Sequence, residues 1–136
     1  MRVYETVIYA SDVAATAAFY EEVLGLRPLR EPNELSAVFR LDDGGVLLLF
    51  DPAGSEVPGR IVPSHGARGP GHIAFSVEPD SLGALAERLL QRGVEVEDEH
   101  TWPPGGRSLY LRDPAGNSVE LVEGEVWPET GEPPRR

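Results

Sequence analysis

Three polar side chains in this 136-residue chain stand where apolar ones are expected: Glu5, His72 and Glu120. Glu5 lies in the run Arg2 to Ala10, whose alternation puts Val3, Glu5, Val7 and Tyr9 on one face of a strand and Tyr4, Thr6, Ile8 and Ala10 on the other. Such a strand is expected to be buried on both sides. His72 stands near the start of a second run of this kind, Gly71 to Val77, and both residues precede an acidic helix cap, Asp12 or Asp80, by several positions. Glu120 lies in Ser118 to Val122, where alternation turns it away from the face carrying Val119 and Leu121, and its counterpart in the first half is roughly Leu48.

Two carboxylates and an imidazole meeting in a partly apolar cleft pose a charge problem. At least one carboxyl must be driven towards its neutral form unless a cation compensates both, and a divalent ion does so while also accepting a nitrogen ligand. With no cysteine in the chain, the ligands must be nitrogen and oxygen, which suit Mn²⁺, Fe²⁺, Zn²⁺, Ni²⁺ or Co²⁺. Three protein ligands leave coordination positions open for water or substrate, as catalysis requires. Each residue also has a plainer role: a solvated strand glutamate paired with arginine, a core histidine bonded to a carbonyl, and an outward glutamate near a turn. Their matched positions favour a shared site.

The elements that would carry these residues repeat. In the first half, Ser11-Asp12 caps a helix from Val13 to Leu24 with Val13, Ala17, Tyr20 and Leu24 inward, ending at Gly25. Short strands are expected at Leu26 to Arg30, Ala37 to Leu41 and Val46 to Phe50, the last two joined by the turn Asp42 to Gly45. In the second half the strand Gly71 to Val77 leads to a helix from about Ser81 to Arg92, capped by Asp80 or Ser81, with Leu82, Leu85, Leu89 and Leu90 inward and Gly93 as its stop. Strands come next at Val94 to Glu97, Ser108 to Arg112 and Ser118 to Val122, the last two joined by Asp113 to Asn117. The expected fold is α+β, two βαβββ modules forming a curled mixed sheet around a cleft. The modules occupy 1–50 and 71–123 of one domain, with a Pro- and Gly-rich connector at 51–70 that links them or lids the site. The tail, 124–136, has too little apolar surface to fold alone; its end is expected to be mobile, and Trp127 is its one candidate for docking.

The bulk properties narrow the partners. A net charge of −11, with the 12 basic residues, all arginine, scattered along the chain, disfavours nucleic acid. No apolar run approaches the ~20 residues that span a bilayer, and no secretory signal opens the sequence, so a cytoplasmic location is expected.

These residues resemble the vicinal oxygen chelate superfamily, which includes glyoxalase I, extradiol ring-cleaving dioxygenases, fosfomycin-resistance transferases and bleomycin-binding proteins. The resemblance rests on Ile8 to Asp12, Phe19-Tyr20, Val23 to Leu26, Gly71 to Phe75, and Leu109 to Asn117 leading to Glu120. It implies paired modules, metal ligands on the first strand of each module and on the last strand, and a homodimer. His72 and Glu120 match the family's ligand positions, while Glu5 stands where many members have histidine and some have glutamate. A fourth ligand, present in glyoxalase I, would fall at about Leu48, so a four-ligand mechanism is not expected.

The expected function is that of a metal-dependent enzyme whose small-molecule substrate offers two adjacent oxygens to the metal, which stabilises an oxyanion developing on the substrate. Glu120 and Tyr110 are the candidate catalytic groups, Tyr110 as a proton donor or a wall of the cleft. Arg107, Ser108 and Trp102, from Trp102-Pro103-Pro104-Gly105-Gly106-Arg107-Ser108, are the candidate substrate contacts. His65 and His100 are read as loop histidines that act as acid or base only if a lid closes. The alternative from another class is a metal-independent protein that binds a cationic drug or metabolite, in which negative charge and an aromatic cleft would serve binding alone. A protein-binding scaffold is a third possibility without specific support.

Overall fold

Each half of the chain folds as a strand, a helix and three further strands, giving an α+β protein with two four-stranded mixed sheets, neither closed. The structure, a computed structural model, describes residues 1–103 and 105–127. Its contacts divide into two compact units: Met1–Gly71 with Asp113–Asn117, and His72–Arg112 with the residues from Ser118 onward.

In unit one, β1 (Glu5–Tyr9) runs parallel to β4 (Val46–Phe50), and β3 (Ser36–Arg40) and β2 (Arg27–Pro28) complete the order β1-β4-β3-β2. The Asp12 carboxylate accepts the Ala15 amide at 2.9 Å, satisfying one of the orphan donors at the start of α1 (Val13–Ala18). The expected α-helix to Leu24 instead widens into a π-helical turn, Phe19–Val23, in which the Leu24 amide donates to Phe19 O, five residues back. Gly25, at φ 77°, then turns the chain where a residue with a Cβ would be strained. Val13, Ala17 and Tyr20 bury their side chains with Ile8, Phe39, Leu47 and Leu49. Burying a side chain the size of Leu49 contributes about 1.5–3 kcal/mol.

The connector is not wholly without regular structure. Asp51 caps a single turn, α2 (Pro52–Ser55), and a fork of two 2.7 Å bonds from Arg68 to Glu56 draws the far end of the connector back to the end of that turn. His65 sits in the irregular stretch, its Nδ1 2.8 Å from the Tyr9 hydroxyl and its ring edge-on to Phe50. The turn Asp113–Asn117 is the most densely bonded part of the unit. Asp113 accepts from the Tyr20 hydroxyl, the Ala115 and Asn117 amides and the Asn117 side chain, and Asn117 in turn joins Gly71 N to Tyr9 O. Burial first, then the Asp113 charge and hydrogen bond, push the Tyr20 hydroxyl above the usual tyrosine range.

In unit two the order is β5-β8-β7-β6, with β5 (His72–Val77) parallel to β8 (Ser118–Glu123) and β7 (Arg107–Arg112) antiparallel to both β8 and β6 (Asp98–Thr101). The helix α3 (Leu82–Gln91) packs on β8 and buries Leu82 and Leu89.

Several expectations are corrected. The opening strand is shorter and lies at its sheet's edge, leaving Val3 and Tyr4 exposed and only Ile8 buried, so it is not covered on both sides. The Ser81 hydroxyl bonds back to Glu78 O, and the Glu123 carboxylate caps α3 instead by accepting the Leu82 amide. Leu90 is exposed because, one residue beyond Leu89, it is turned about 100° round the helix, away from the stripe of Leu82 and Leu89. The strand expected at Val94 to Glu97 lies at Asp98–Thr101, where every residue is exposed and no hydrophobic alternation marks it. Trp127 is exposed, not docked, and the end of the tail lies outside the described residues. Among the described residues no helix is long and apolar enough to cross a membrane.

Candidate metal centre

The strand registers make the positional match between the halves explicit. In unit one Val7 pairs with Leu48, and in unit two Ala74 pairs with Glu120, so Leu48 and Glu120 are equivalent, as are Glu5 and His72, two residues earlier on β1 and β5. On the second sheet this register gathers His72, Ser118, Glu120, Tyr110 and Ser108 on one face, opposite the apolar face bearing Val119, Leu121, Leu109 and Leu111. The equivalent face of the first sheet carries Val7, Val38, Leu48 and Phe50.

Glu120 is the best-held carboxylate on that face, only 7% exposed. Its Oε1 accepts the Ser108 hydroxyl at 2.5 Å and the Tyr110 hydroxyl at 2.9 Å. Its Oε2 faces His72 Nε2 at 3.3 Å. The His72 ring lies nearly parallel to Tyr110, at 24°, with its Nδ1 3.2 Å from Ser118 Oγ. With its proton on Nε2 the imidazole donates to Glu120 Oε2; with the proton on Nδ1, donated to Ser118, the Nε2 lone pair and Oε2 are both left to accept a cation. Behind Ser108 stands Trp102, whose indole N–H donates to the Ser108 oxygen at 2.8 Å.

The pair fits a divalent ion. Two ligands held about 2.1 Å from one ion at tetrahedral angles stand about 3.4 Å apart, and the observed nitrogen–oxygen separation is 3.3 Å. Among the described residues no group of three or more His, Cys, Asp and Glu side chains is gathered to hold an ion, so His72 and Glu120 meet as two. Glu5 is exposed at the head of β1, in the other unit.

Of the expected site residues, the structure joins His72, Glu120, Tyr110, Ser108 and Trp102 in one network. Arg107 is not among them. It lies on the opposite face of β7, 2.6 Å from Glu99 and 4.0 Å from Glu123, and the hydrogen bond and charge of Glu99 raise its pKa further. Pro104 lies outside the described residues. His100, expected in a loop, is on β6 opposite Ser108, its ring edge-on to Trp102 at 4.5 Å. Ser118 was missed as a partner of His72, although its place in β8, in register with His72, is a consequence of parallel pairing of the two strands. A recess of about 490 Å³ in unit one, lined by Tyr9, Asp12, Pro52, Arg68 and Pro114 among others, contains none of the expected site residues.

Comparison with known proteins agrees with this architecture. The profile of the Glyoxalase/Bleomycin resistance protein/Dioxygenase superfamily matches residues 2–121. A crystal structure of lactoylglutathione lyase from Agrobacterium tumefaciens is 38% identical, with a TM-score of 0.86 over 93% of this chain and 96% of that one. A lactoylglutathione lyase of Salmonella typhimurium is 29% identical over 90% of this chain and 93% of its own length. Biphenyl-2,3-diol 1,2-dioxygenase 3 of Rhodococcus globerulus is 30% identical over 94% of this chain and 66% of its own. With its two βαβββ modules and a profile match over nearly its whole length, the chain belongs to the glyoxalase, bleomycin resistance protein and dioxygenase superfamily.

Proposed function

We infer that this protein is a metal-dependent enzyme acting on a small molecule that presents two adjacent oxygen atoms. The observation that carries the reading is the His72–Glu120 pair, an imidazole nitrogen and a buried carboxylate oxygen spaced as two ligands of one ion. Glu5 is the third protein ligand in this reading, on the strength of its equivalence to His72. A divalent ion held there supplies a Lewis acid that favours negative charge developing on the substrate's oxygens. Tyr110, donating to Glu120 beside the pair, orients the carboxylate and is the candidate proton donor in this reading. The relatives are lyases and a dioxygenase, which supports an enzyme over a passive binder.

The lyase name does not carry over with its ligand set. The position equivalent to Glu120 in the first sheet is Leu48, whose side chain cannot ligate, so these strands offer one ligand fewer than the four-ligand arrangement needs. A homodimer in the cytoplasm belongs to the same reading, and a single-chain mass in sedimentation equilibrium would remove the dimer from it.

Calorimetric titration of chelator-treated protein with Mn²⁺, Fe²⁺, Zn²⁺, Ni²⁺ and Co²⁺ tests the reading. At least one ion is expected to bind the wild type and to bind His72→Ala or Glu120→Gln at least tenfold more weakly. Wild-type protein indifferent to all five would leave the drug- or metabolite-binding alternative in its place.

A further inference from the structure

Trp102 and Ser108 look in the sequence like substrate contacts, yet both point their polar atoms into the protein's own network. Ser108 is fully buried, with its Oγ between Trp102 Nε1 at 2.8 Å and Glu120 Oε1 at 2.5 Å. The polarity of this chain of bonds has only one solution. An indole N–H is a donor and never an acceptor, so the Ser108 oxygen must accept from Trp102. The single hydroxyl proton of Ser108 is therefore committed to Glu120. An ionised carboxylate only accepts, and Oε1 accepts a second hydrogen bond from the Tyr110 hydroxyl, so this oxygen is occupied by two donors while Oε2 faces His72.

Local geometry keeps Trp102 in place. The Trp102 amide donates to Gly106 O and Gly105 N–H returns to Trp102 O, closing a tight turn between β6 and β7. At Gly106 a Cβ would stand 2.3 Å from Glu125 O, so the turn closes only with glycine there. His100 packs edge-on against the indole from β6.

We propose that Trp102 and Ser108 are positioning residues that fix the Glu120 carboxylate with Oε1 occupied, so that Oε2 alone is presented to a metal ion beside His72. The proposal rests on the reading of His72 and Glu120 as metal ligands. Its content is separate, because a metal site at His72 and Glu120 does not require that the carboxylate be oriented from behind by an indole. Groups that orient a ligand in this way typically change metal affinity by about 10–100-fold when removed.

The test uses the full chain with Trp127→Phe, which leaves Trp102 as the sole tryptophan, and Zn²⁺ as the probe. In this background Ser108→Ala is expected to weaken Zn²⁺ binding by about 10–100-fold, and Ser108→Thr, which keeps the hydroxyl, to stay within about threefold of the parent. Saturation with Zn²⁺ is expected to shift the Trp102 emission in the parent and in Ser108→Thr, but not in Ser108→Ala, where the indole has lost its link to Glu120. If Ser108→Ala does not fold, Trp102→Phe carries the affinity arm, with an expected loss of about tenfold. Unchanged affinity in Ser108→Ala or Trp102→Phe, or an emission indifferent to Zn²⁺, overturns the proposal while leaving the metal site standing. Where the parent binds another of the five ions and not Zn²⁺, that ion replaces Zn²⁺ as the probe; a parent that binds none of the five removes both.

Discussion

His72 and Glu120 draw their interest from contrasting surroundings. The imidazole is half-exposed and steered by one hydroxyl, whereas the carboxylate is buried and receives two. A buried carboxylate without partners would cost several kcal/mol, and here hydroxyl donors offset that cost on one oxygen only. The other oxygen is left for a cation or for the His72 proton. Among the described residues no hydroxyl is seen to donate to Glu5, which is exposed at the strand head. If it is nonetheless a ligand, Glu5→Gln, which preserves size and removes charge, is expected to weaken divalent-ion binding at least tenfold without moving the thermal midpoint of the ion-free protein. Equal affinity in calorimetry would reduce the protein's ligand set to His72 and Glu120. Arg107 shows how neighbouring residues in a strand diverge: one position from Ser108, it faces the other way and is engaged by Glu99.

At the scale of elements, the turn Asp113–Asn117 and the π-helical turn are joined through the Tyr20–Asp113 bond, buried and 3.0 Å long. The raised Tyr20 hydroxyl has a consequence for alkaline stability. Above the ordinary tyrosine value of about 10 the unfolded chain gives up this proton while the folded chain keeps it, so the unfolded state binds fewer protons and stability falls as pH rises. The contribution is fully present below pH 10. Urea unfolding between about pH 8 and pH 11 is therefore expected to show a loss of stability in the wild type that is smaller in Tyr20→Phe. That variant should start about 1–3 kcal/mol lower, because Asp113 loses a buried donor. Identical pH slopes in the two proteins would contradict this. These elements differ in how plainly the sequence announces them. The run Val46 to Phe50 is apolar between turn residues, and the strand is found at those bounds. Asp98–Thr101 is wholly exposed and polar, held by backbone pairing to β7, so side-chain periodicity carries no trace of it. The cap of α3 comes from Glu123, 41 residues away, a distance that local cap rules do not cover.

For the whole molecule, the two-module repeat is legible because the same order of cap, helix stop and hairpin recurs in each half, and the observed registers align Glu5 with His72 and Leu48 with Glu120. The chemistry is less legible. Sequence periodicity places Ser108, Tyr110 and Glu120 on one face, but the direction of the hydrogen bonds among them, and the inward turn of Trp102, depend on tertiary placement. The two halves differ at the site itself, where the second sheet carries His72 and Glu120 and the first carries Glu5 and Leu48. That asymmetry leaves a carboxylate–imidazole pair on the second sheet and, at the position of His72, a glutamate on the first.

The most direct measurement is an anomalous-difference map from crystals grown with Mn²⁺ after chelator treatment. A peak within about 2.0–2.3 Å of both His72 Nε2 and Glu120 Oε2 is the predicted result. A map with no peak at that pair with Mn²⁺, nor with Fe²⁺, Zn²⁺, Ni²⁺ or Co²⁺ in its place, each at saturating concentration, would contradict it.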